Sequence, residues 1–318
     1  MVEVWDVHME GRLKSPVLVF DVGGSHVSAA VCLDGEFRLG PVASDRHPAA
    51  ETSDAFVDLL HTLGVKAAAG LPQVTGATLA MPSPFDYETG VCLMRHKLPY
   101  LYGVNLRHAL AGRFGWEPTQ VQFLNDADAY LLGEVGAGAA RGFARVVALT
   151  LGTGTGSAFA VDGRLVTGGP GVPPGGEIWD LPYEGGIVED FLSSRAISSS
   201  YQRRTGNTST PAALAERAPA DPAAQETFTE FGQHLALVLS TRLAAFSPDV
   251  VVLGGGISRA ARLFLPAAER QLSGRAPQLR VSALQDLAPL VGCGVARFLS
   301  GNGASPSLGA SSAQANPA

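Results

Sequence analysis

An internal duplication is the feature that most limits how this chain can fold. Residues 17–35 (VLVFDVGGSHVSAAVCLDG) and 146–163 (VVALTLGTGTGSAFAVDG) share one order of features: an apolar run, a glycine-rich turn, a second run of apolar or small residues, and Asp-Gly. Short apolar runs bounded by glycine and aspartate are typical of strands joined by tight turns. The repeat therefore predicts two related halves, each beginning with a β-hairpin whose tip is rich in glycine.

The glycine-rich tips favour binding of an anion. Without Cβ atoms, backbone N–H groups in such a turn can converge on an anion and approach it closely. One tip by itself is as well explained by an ordinary hairpin turn, but two tips in corresponding places could close on one phosphate chain. A third glycine turn, LGGGIS at 253–258, lies between a predicted strand and a predicted helix, where an ordinary βα turn is the alternative.

The composition is that of a globular protein, and it lacks the excess of basic residues that binding to a polyanion requires. The 318 residues suit two domains, and the formal net charge of −6 argues against nucleic acid or an anionic membrane as partner. Lysine is scarce, so a phosphate ligand would depend on backbone N–H groups, arginine or a metal. Three cysteines without CxxC spacing and without a signal-like segment predict a reducing cytoplasm, and no apolar run predicts a transmembrane helix.

An amide and a carboxylate follow a predicted strand in VQFLNDADAYLLGEV, residues 121–135. Asn or Asp at a strand-to-helix junction commonly caps the helix by accepting hydrogen bonds from its first N–H groups. The functional interpretation is that Asn125 orients a substrate hydroxyl group while Asp126 takes its proton as general base. Both interpretations can hold together, with one residue capping the helix and the other facing the substrate.

The segment GGEIWDLPYEGGIVED, residues 175–190, combines acidic residues with Trp and Tyr and has no Lys, Arg, His or Cys. Acids without basic partners usually lie on solvated surfaces, but the aromatic residues argue against a merely solvated loop. We expect Trp179 to pack against the protein rather than stack on a ligand, because apolar burial dominates the placement of tryptophan.

An ordered set of motifs gives the chain a resemblance to a known family. The sequence resembles the ROK family of sugar kinases, which has the actin/hexokinase-like (ribonuclease H-like) ATPase fold. The resemblance covers roughly residues 17–298 and depends on the order of the motifs, since no single piece is specific. The matching motifs are DVGGSH (21–26), MPSPFDYETG (81–90), NDADAYLLGE (125–134), GTGTGSAFAVDGRLVTG (152–168), GGEI (175–178), VEDFLSSRAI (188–197) and VVLGGGIS (251–258).

The resemblance implies an α/β fold of two duplicated domains that flank a cleft for nucleotide and sugar. It implies in-line transfer of the γ-phosphoryl group of ATP, with Mg²⁺, to a hexose hydroxyl group, with Asp126 as general base. The residues that would bind the sugar are Asn125, Glu177, Asp180 and Glu189. The residues that would bind ATP and its phosphates are Gly23, Gly24, Ser25, Gly152, Thr153, Gly154, Gly254, Gly255, Gly256 and Asp21, the last of these near the magnesium.

Departures from the family pattern bear on zinc and on the sugar. The usual Gly-His after GGEI is replaced by Trp179 and Asp180, and the Cys-rich loop that binds zinc with that His is missing. A structural zinc ion needs about four N or S ligands, so we predict no zinc. Asp180 can accept hydrogen bonds from hydroxyl groups but cannot donate them at neutral pH. Other departures are Asp128 where Asn is usual, and Ala80 and Ser83 where glycines are common.

The expected organisation is a smaller N-terminal domain at 15–123 joined by a helix at about 287–299, a larger domain at 124–286, and disordered ends at 1–14 and 300–318. Glucose is the acceptor expected from family frequency. The alternatives are an N-acetylhexosamine, mannose or fructose as acceptor and polyphosphate as donor. A non-catalytic sugar sensor ranks lower, because too few residues precede the first hairpin for a helix-turn-helix. A homodimer is compatible with the resemblance.

Overall fold

The computed structural model describes residues 16–33, 35–48, 51–272 and 276–301. The chain divides into two compact units, one formed by the described residues up to Ala137 and from Leu287 onward, the other by Gly138–Asp286. The leader expected to be disordered at 1–14 lies outside the described residues, and so does the expected tail except for residues 300–301, which end a helix. No helix in the described ranges is both long and apolar enough to cross a bilayer.

The first unit is built on a five-stranded mixed sheet whose strand order is β3-β2-β1-β4-β7. Two further short strands pair with each other outside this sheet. The elements up to Ala137 are β1 (Val17–Val22), β2 (His26–Cys32), β3 (Ala43–Arg46), α1 (Ser53–Ala68), β4 (Ala77–Met81), β5 (Phe85–Asp86), β6 (Val91–Cys92), α2 (Leu106–Phe114), β7 (Val121–Asn125) and α3 (Asp126–Ala137).

The second unit is also built on a five-stranded mixed sheet, with the order β10-β9-β8-β13-β14. A small separate hairpin lies within the acidic segment of the sequence. The elements are β8 (Arg145–Leu151), β9 (Thr155–Val161), β10 (Arg164–Leu165), β11 (Pro182–Tyr183), β12 (Gly186–Ile187), α4 (Ser194–Thr205), α5 (Pro211–Arg217), α6 (Pro222–Arg242), β13 (Val250–Gly254), α7 (Ala261–Gln271) and β14 (Gln278–Val281).

The two sheets have the same topology, which confirms the predicted duplication. In each, an antiparallel hairpin (β1–β2 and β8–β9) carries a third antiparallel strand on one side (β3 and β10). Two parallel strands lie on the other side, β4 and β7 in the first unit, β13 and β14 in the second. Because the carboxyl ends of parallel strands meet at one edge of a sheet, the residues that follow β1, β4 and β7 are neighbours in the first unit. The residues that follow β8 and β13 are neighbours in the second.

The boundary between the units lies after α3, whereas we expected it between Phe123 and Leu124. The last helix, α8 (Ala288–Gly301), belongs to the first unit and packs directly against α3. Glycines make this contact close, since a Cβ at Gly292 would collide with the backbone of Ala129, and one at Gly133 with the backbone of Ala288. Helix axes approach only as near as the side chains between them allow, and this contact assigns α3 to the first unit.

Each unit encloses its own apolar core. The first is packed around fully buried side chains that include Phe20, Phe56, Leu60 and Leu79, and the second around Phe159, Phe228, Phe246 and Phe264. Burial of each such side chain stabilises the fold by about 1.5–3 kcal/mol. The residues at the strand ends are therefore displayed on two firmly packed frameworks.

Candidate active site

The first glycine turn joins β1 to β2 at residues 23–25. It closes with a hydrogen bond of 3.0 Å from the Gly23 N–H to the carbonyl of His26. His47, which follows β3, holds the turn through two contacts. Its ring Nε2 lies 2.8 Å from the Gly23 carbonyl oxygen, and its backbone N–H donates to the Ser25 carbonyl at 3.2 Å. A carbonyl oxygen only accepts, so Nε2 carries the proton. No role for His47 follows from the sequence alone.

The second glycine turn joins β8 to β9 at residues 152–154. It closes with a 3.0 Å hydrogen bond from the Gly152 N–H to the Gly154 carbonyl, and the Ser194 N–H donates to the Gly152 carbonyl at 2.8 Å. Glu189, expected to bind the sugar, accepts a hydrogen bond from the Thr155 N–H at 2.9 Å. The structure thus joins a predicted sugar ligand directly to a predicted phosphate turn.

The glycines of these turns fall into two groups according to what a side chain would meet. Gly154 is hemmed in, since its Cβ would lie 2.6 Å from Oε2 of Glu189. Gly255, in the third turn after β13, has a φ of 76°, and its Cβ would collide with the Leu151 backbone. The fold itself requires glycine at that position, because L-residues rarely adopt this conformation.

The second group is not required by the protein's own packing. A Cβ built at Gly24, Gly152 or Gly256 would meet no heavy atom within 4 Å, and these residues do not have the positive φ that favours glycine. All three lie at or just after a strand end, on the edge where the predicted phosphate sites were placed. An open position occupied by glycine fits a site in which the backbone is approached closely by a ligand.

Asn125 and Asp126 lie where β7 passes into α3. Oδ1 of Asn125 accepts hydrogen bonds from the N–H groups of Ala127 at 2.9 Å and Asp128 at 3.4 Å, so Asn125 caps the helix. Asp126 is half-buried in the first turn of α3, and its Oδ1 also accepts from the Ala127 N–H at 2.9 Å. A carboxylate at this end of a helix is stabilised by the helix dipole.

The amide nitrogen of Asn125 is held by two hydroxyl groups. Nδ2 donates to Oγ of Ser83 at 3.0 Å and to the phenolic oxygen of Tyr87 at 3.1 Å. Ser83 follows β4, so three neighbouring strand ends carry the predicted residues of the first unit. In the sequence Ser83 stands out only as a departure from the family pattern and Tyr87 has no predicted role, because a contact across 38 residues leaves no local signal.

The acidic segment is tied to β9 and exposes Trp179 and Asp180, while Ile178, Tyr183 and Val188 are buried. The Ser157 hydroxyl donates to the Gly176 carbonyl at 2.7 Å and accepts from the Ile178 N–H at 3.0 Å. Trp179 is 39% exposed, and its indole N–H donates to Oε2 of Glu177 at 3.1 Å. The expectation that Trp179 packs against the protein is therefore wrong, because its neighbour Ile178 takes the buried position. Asp180 is exposed.

The described residues contain no group of three His, Cys, Asp or Glu side chains that could hold a metal ion. The three cysteines are buried thiols outside any disulfide bond. Burial, and after it the charge of Asp21, raises the pKa of the Cys293 thiol well above its ordinary value, so that thiol stays protonated. Half-buried Asp21 at the end of β1 suits magnesium, which keeps several waters and uses one or two carboxylates together with substrate phosphates.

Comparison with known proteins identifies the family of this chain. A sequence model of the ROK family matches residues 17–292. The chain belongs to the ROK family. It is similar to a glucokinase of Thermotoga maritima, with 31% identity over 220 residues that cover 60% of this chain and 67% of the relative. It is also similar to an N-acetyl-D-glucosamine kinase of Aliivibrio fischeri, with 28% identity over 261 residues, 75% of this chain and 83% of the relative.

The fold of this ROK protein is also that of solved structures. A ROK hexokinase from Thermus thermophilus superposes with a TM-score of 0.75 at 27% identity, covering 91% of this chain and 99% of that one. The mixed α/β architecture is therefore the actin/hexokinase-like ATPase fold that the sequence predicted.

Proposed function

We propose that this ROK protein transfers the γ-phosphoryl group of ATP to a hydroxyl group of a hexose, with glucose as the first acceptor to test. It is a sugar kinase, an enzyme of the phosphotransferase class. The observation that carries the proposal is the open glycine positions Gly24 and Gly152, found in both copies of a duplicated hairpin. Neither the packing nor the backbone conformation of the chain needs glycine there, whereas a phosphate group approached by backbone N–H groups does.

In the proposed reaction the hexose hydroxyl oxygen attacks the γ-phosphorus in line, and the bond from that phosphorus to the β,γ-bridging oxygen breaks to release ADP. Asp126 takes the hydroxyl proton. Backbone N–H groups of a glycine turn stabilise the charge on the phosphoryl oxygens during transfer. Asp21 would hold Mg²⁺, whose chemistry when bound is to neutralise phosphate charge.

The acidic segment would supply acceptors for the remaining sugar hydroxyl groups. The Trp179 indole fixes one oxygen of Glu177, and Thr155 N–H fixes one oxygen of Glu189. The second oxygen of each carboxylate is suited to accept from a hydroxyl group, since a carboxylate offers about four lone-pair sites. Exposed Asp180 would act in the same way in place of the usual histidine.

The test is ADP release measured against a panel of sugars, with the variant Asp126→Asn beside the wild type. Loss of the base is expected to lower kcat by about 100-fold or more while ATP binding is nearly unchanged. Asp128→Asn, which alters a carboxylate two residues further along the same helix, serves as the matched control and should stay within about threefold of wild type. Near-normal turnover of Asp126→Asn would remove it from the role of base.

The same panel separates the remaining alternatives. It includes N-acetylglucosamine, mannose and fructose as acceptors and polyphosphate as donor, because the Aliivibrio fischeri relative is named for an N-acetylhexosamine. The acceptor with the highest kcat/KM identifies the substrate. Tight sugar binding without turnover of any sugar would favour a non-catalytic sensor instead.

A further inference from the structure

Three polar atoms of the first unit form a nearly equilateral triangle beside Asp126. Nδ2 of Asn125 lies 3.0 Å from Oγ of Ser83 and 3.1 Å from the phenolic oxygen of Tyr87, and those two oxygens lie 3.2 Å apart. Tyr87 also reaches the Met81 carbonyl at 3.0 Å. The proposed reaction assigns no task to Ser83 or Tyr87, so the purpose of this cluster is open.

The direction of each hydrogen bond follows from the groups themselves. A carbonyl oxygen cannot donate, so the single Tyr87 proton goes to Met81, and Ser83 must donate its own proton to Tyr87. Both hydroxyl oxygens then keep lone pairs for the Asn125 amide. Burial raises the pKa of Tyr87 far above its ordinary value; the hydrogen bonds from Ser83 and Asn125 lower it in part, and the charges of Asp126 and Asp128 raise it. Tyr87 therefore keeps its proton throughout the pH range of an assay.

The cluster also fixes which way the Asn125 amide faces. Its Oδ1 accepts from the Ala127 N–H at 2.9 Å, on the helix side. Rotation of the amide by 180° would put NH₂ against that N–H group, two donors face to face. The cap on one side and the two hydroxyl groups on the other therefore permit a single orientation.

The triangle leaves one amide hydrogen directed away from the two hydroxyl groups. The two oxygens subtend an angle of about 60° at Nδ2, because the three distances are nearly equal. The two N–H bonds of a planar amide diverge by about 120°. One N–H directed between the two oxygens serves both as a shared hydrogen bond, and the other N–H is then available for an acceptor oxygen.

We propose that Ser83 and Tyr87 are positioning residues that aim this second Asn125 N–H at the sugar hydroxyl oxygen whose proton Asp126 removes. The inference rests on the proposed function. One oxygen would then accept from Asn125 and donate to Asp126, two adjacent residues at the start of α3. Ser83 and Tyr87 themselves do not touch the substrate.

The test compares Tyr87→Phe with the wild type in steady-state kinetics. The substitution removes one hydroxyl group and keeps the ring, whose centroid lies 5.3 Å from that of Phe85. Loss of a single neutral hydrogen bond should lower kcat/KM for the sugar about tenfold, with KM for ATP unchanged. Tyr102→Phe removes another tyrosine hydroxyl group of the same unit, one that accepts from Arg95, and should leave both parameters unchanged.

Two further measurements separate positioning from a merely structural role. In an Asn125→Ala background, Tyr87→Phe should cause no additional loss, since the group that it positions is gone. With a set of monodeoxy sugars whose affinity is measured by calorimetry, the Tyr87→Phe loss of affinity should vanish only for the sugar that lacks the acceptor hydroxyl group. A penalty that persists in both measurements would overturn the positioning role.

Ser83 keeps the proposal testable if Tyr87→Phe fails to fold. Ser83→Ala should cause a loss of similar size, and Ser83→Thr, which restores the hydroxyl group, should recover most of it. Sugar binding by calorimetry is measured alongside turnover. A wild type that turns over no sugar would contradict the proposed function, whereas active Tyr87→Phe and Ser83→Ala variants that match wild type would overturn the positioning role alone.

Discussion

The two glycine turns come from one duplicated hairpin, yet they are held in different ways. The turn at 23–25 is fixed by the His47 imidazole, which lies parallel to the Phe56 ring with centroids 5.8 Å apart. The turn at 152–154 is followed by Thr155, whose N–H is bound by the Glu189 carboxylate. Duplication has preserved the strands and the turns, and the segments that support them have diverged.

The difference matters because the two turns are supported by different parts of the molecule. His47 connects the first turn to the aromatic core beneath α1 and to no predicted ligand of the sugar. Glu189 connects the second turn to the segment expected to bind the sugar, and the Thr155 hydroxyl adds a 2.8 Å bond to the Leu192 carbonyl there. In the second unit, therefore, hydrogen bonds join the segment proposed to bind the sugar to the turn proposed to bind phosphate, and a change in one should affect the other. In the first unit the turn has separate support.

Among changes to the supports of the two turns, the largest expected effect comes from Glu189→Ala, which removes a proposed sugar contact and the support of the second turn together. Loss of a charge-assisted hydrogen bond costs about 1.5–3 kcal/mol, so kcat/KM for the sugar should fall roughly 10- to 100-fold. KM for ATP should rise as well. Steady-state kinetics with each substrate varied in turn make the measurement, and an unchanged KM for ATP would mean that Glu189 does not support a phosphate turn.

His47→Ala is the matched comparison for Glu189→Ala, because it removes the support of the first turn only. It should raise KM for ATP by about tenfold, the effect of one hydrogen bond, and leave KM for the sugar unchanged. His61→Ala controls for loss of an imidazole, since His61 lies on α1 and its ring is tilted by 52° against that of Phe114. Equal effects of His47→Ala on both substrates would show that the two turns are not supported independently.

A smaller effect should separate the two kinds of glycine within the second turn. In Gly154→Ala the new Cβ would lie 2.6 Å from Glu189, so the carboxylate must move and release Thr155. We expect a loss of about 1–2 kcal/mol in the free energy of unfolding. Gly152→Ala should unfold like the wild type, since nothing lies within 4 Å, but should bind ATP more weakly.

Thermal unfolding and nucleotide titration of the two glycine variants complete that comparison. If Gly152→Ala binds ATP as tightly as wild type, the open position beside its Cα does not belong to a phosphate site. If Gly154→Ala is fully stable, the contact between Glu189 and Thr155 contributes nothing to the turn.

The parts of the molecule that were predictable from sequence are those encoded locally. Apolar runs identified both hairpins, and glycines marked their turns, because each of these signals lies within a few residues. The supports were not predictable: His47 reaches back 24 residues to Gly23, and Glu189 lies 34 residues from Thr155. The placement of α3 likewise depends on a glycine contact with a helix far along the chain.

Side-chain exposure was the other feature beyond the reach of the sequence. Trp179 and Ile178 are adjacent and both have largely apolar side chains, so residue type favours burial of each. Only the pairing of Ser157 with the backbone around Ile178 decides that the isoleucine is buried and the indole faces outward. The capping role of Asn125 was predictable, because it depends on N–H groups two and three residues away.

The smallest expected effect is a pH dependence of the second unit. His234 on α6 lies 2.8 Å through Nδ1 from the Tyr183 hydroxyl, contacts the Phe191 ring, and faces Glu230 at 3.8 Å. Burial lowers the pKa of His234 below its ordinary value, and Glu230 opposes this only in part. In this neutral form Nδ1 can accept from the Tyr183 hydroxyl; once protonated, Nδ1 can only donate, and the Tyr183 oxygen must accept instead.

The sign of the effect follows from the lowered pKa. The unfolded chain binds a proton at His234 more readily than the folded chain, so the contribution of His234 to stability is complete above about pH 6.5 and is lost as the pH falls below it. In His234→Gln the decline of Tm between pH 7 and pH 5 should be shallower than in wild type. Parallel Tm profiles would show that His234 has the same pKa in the folded and the unfolded chain. They would also show that neutral His234 does not stabilise the segment around Glu189.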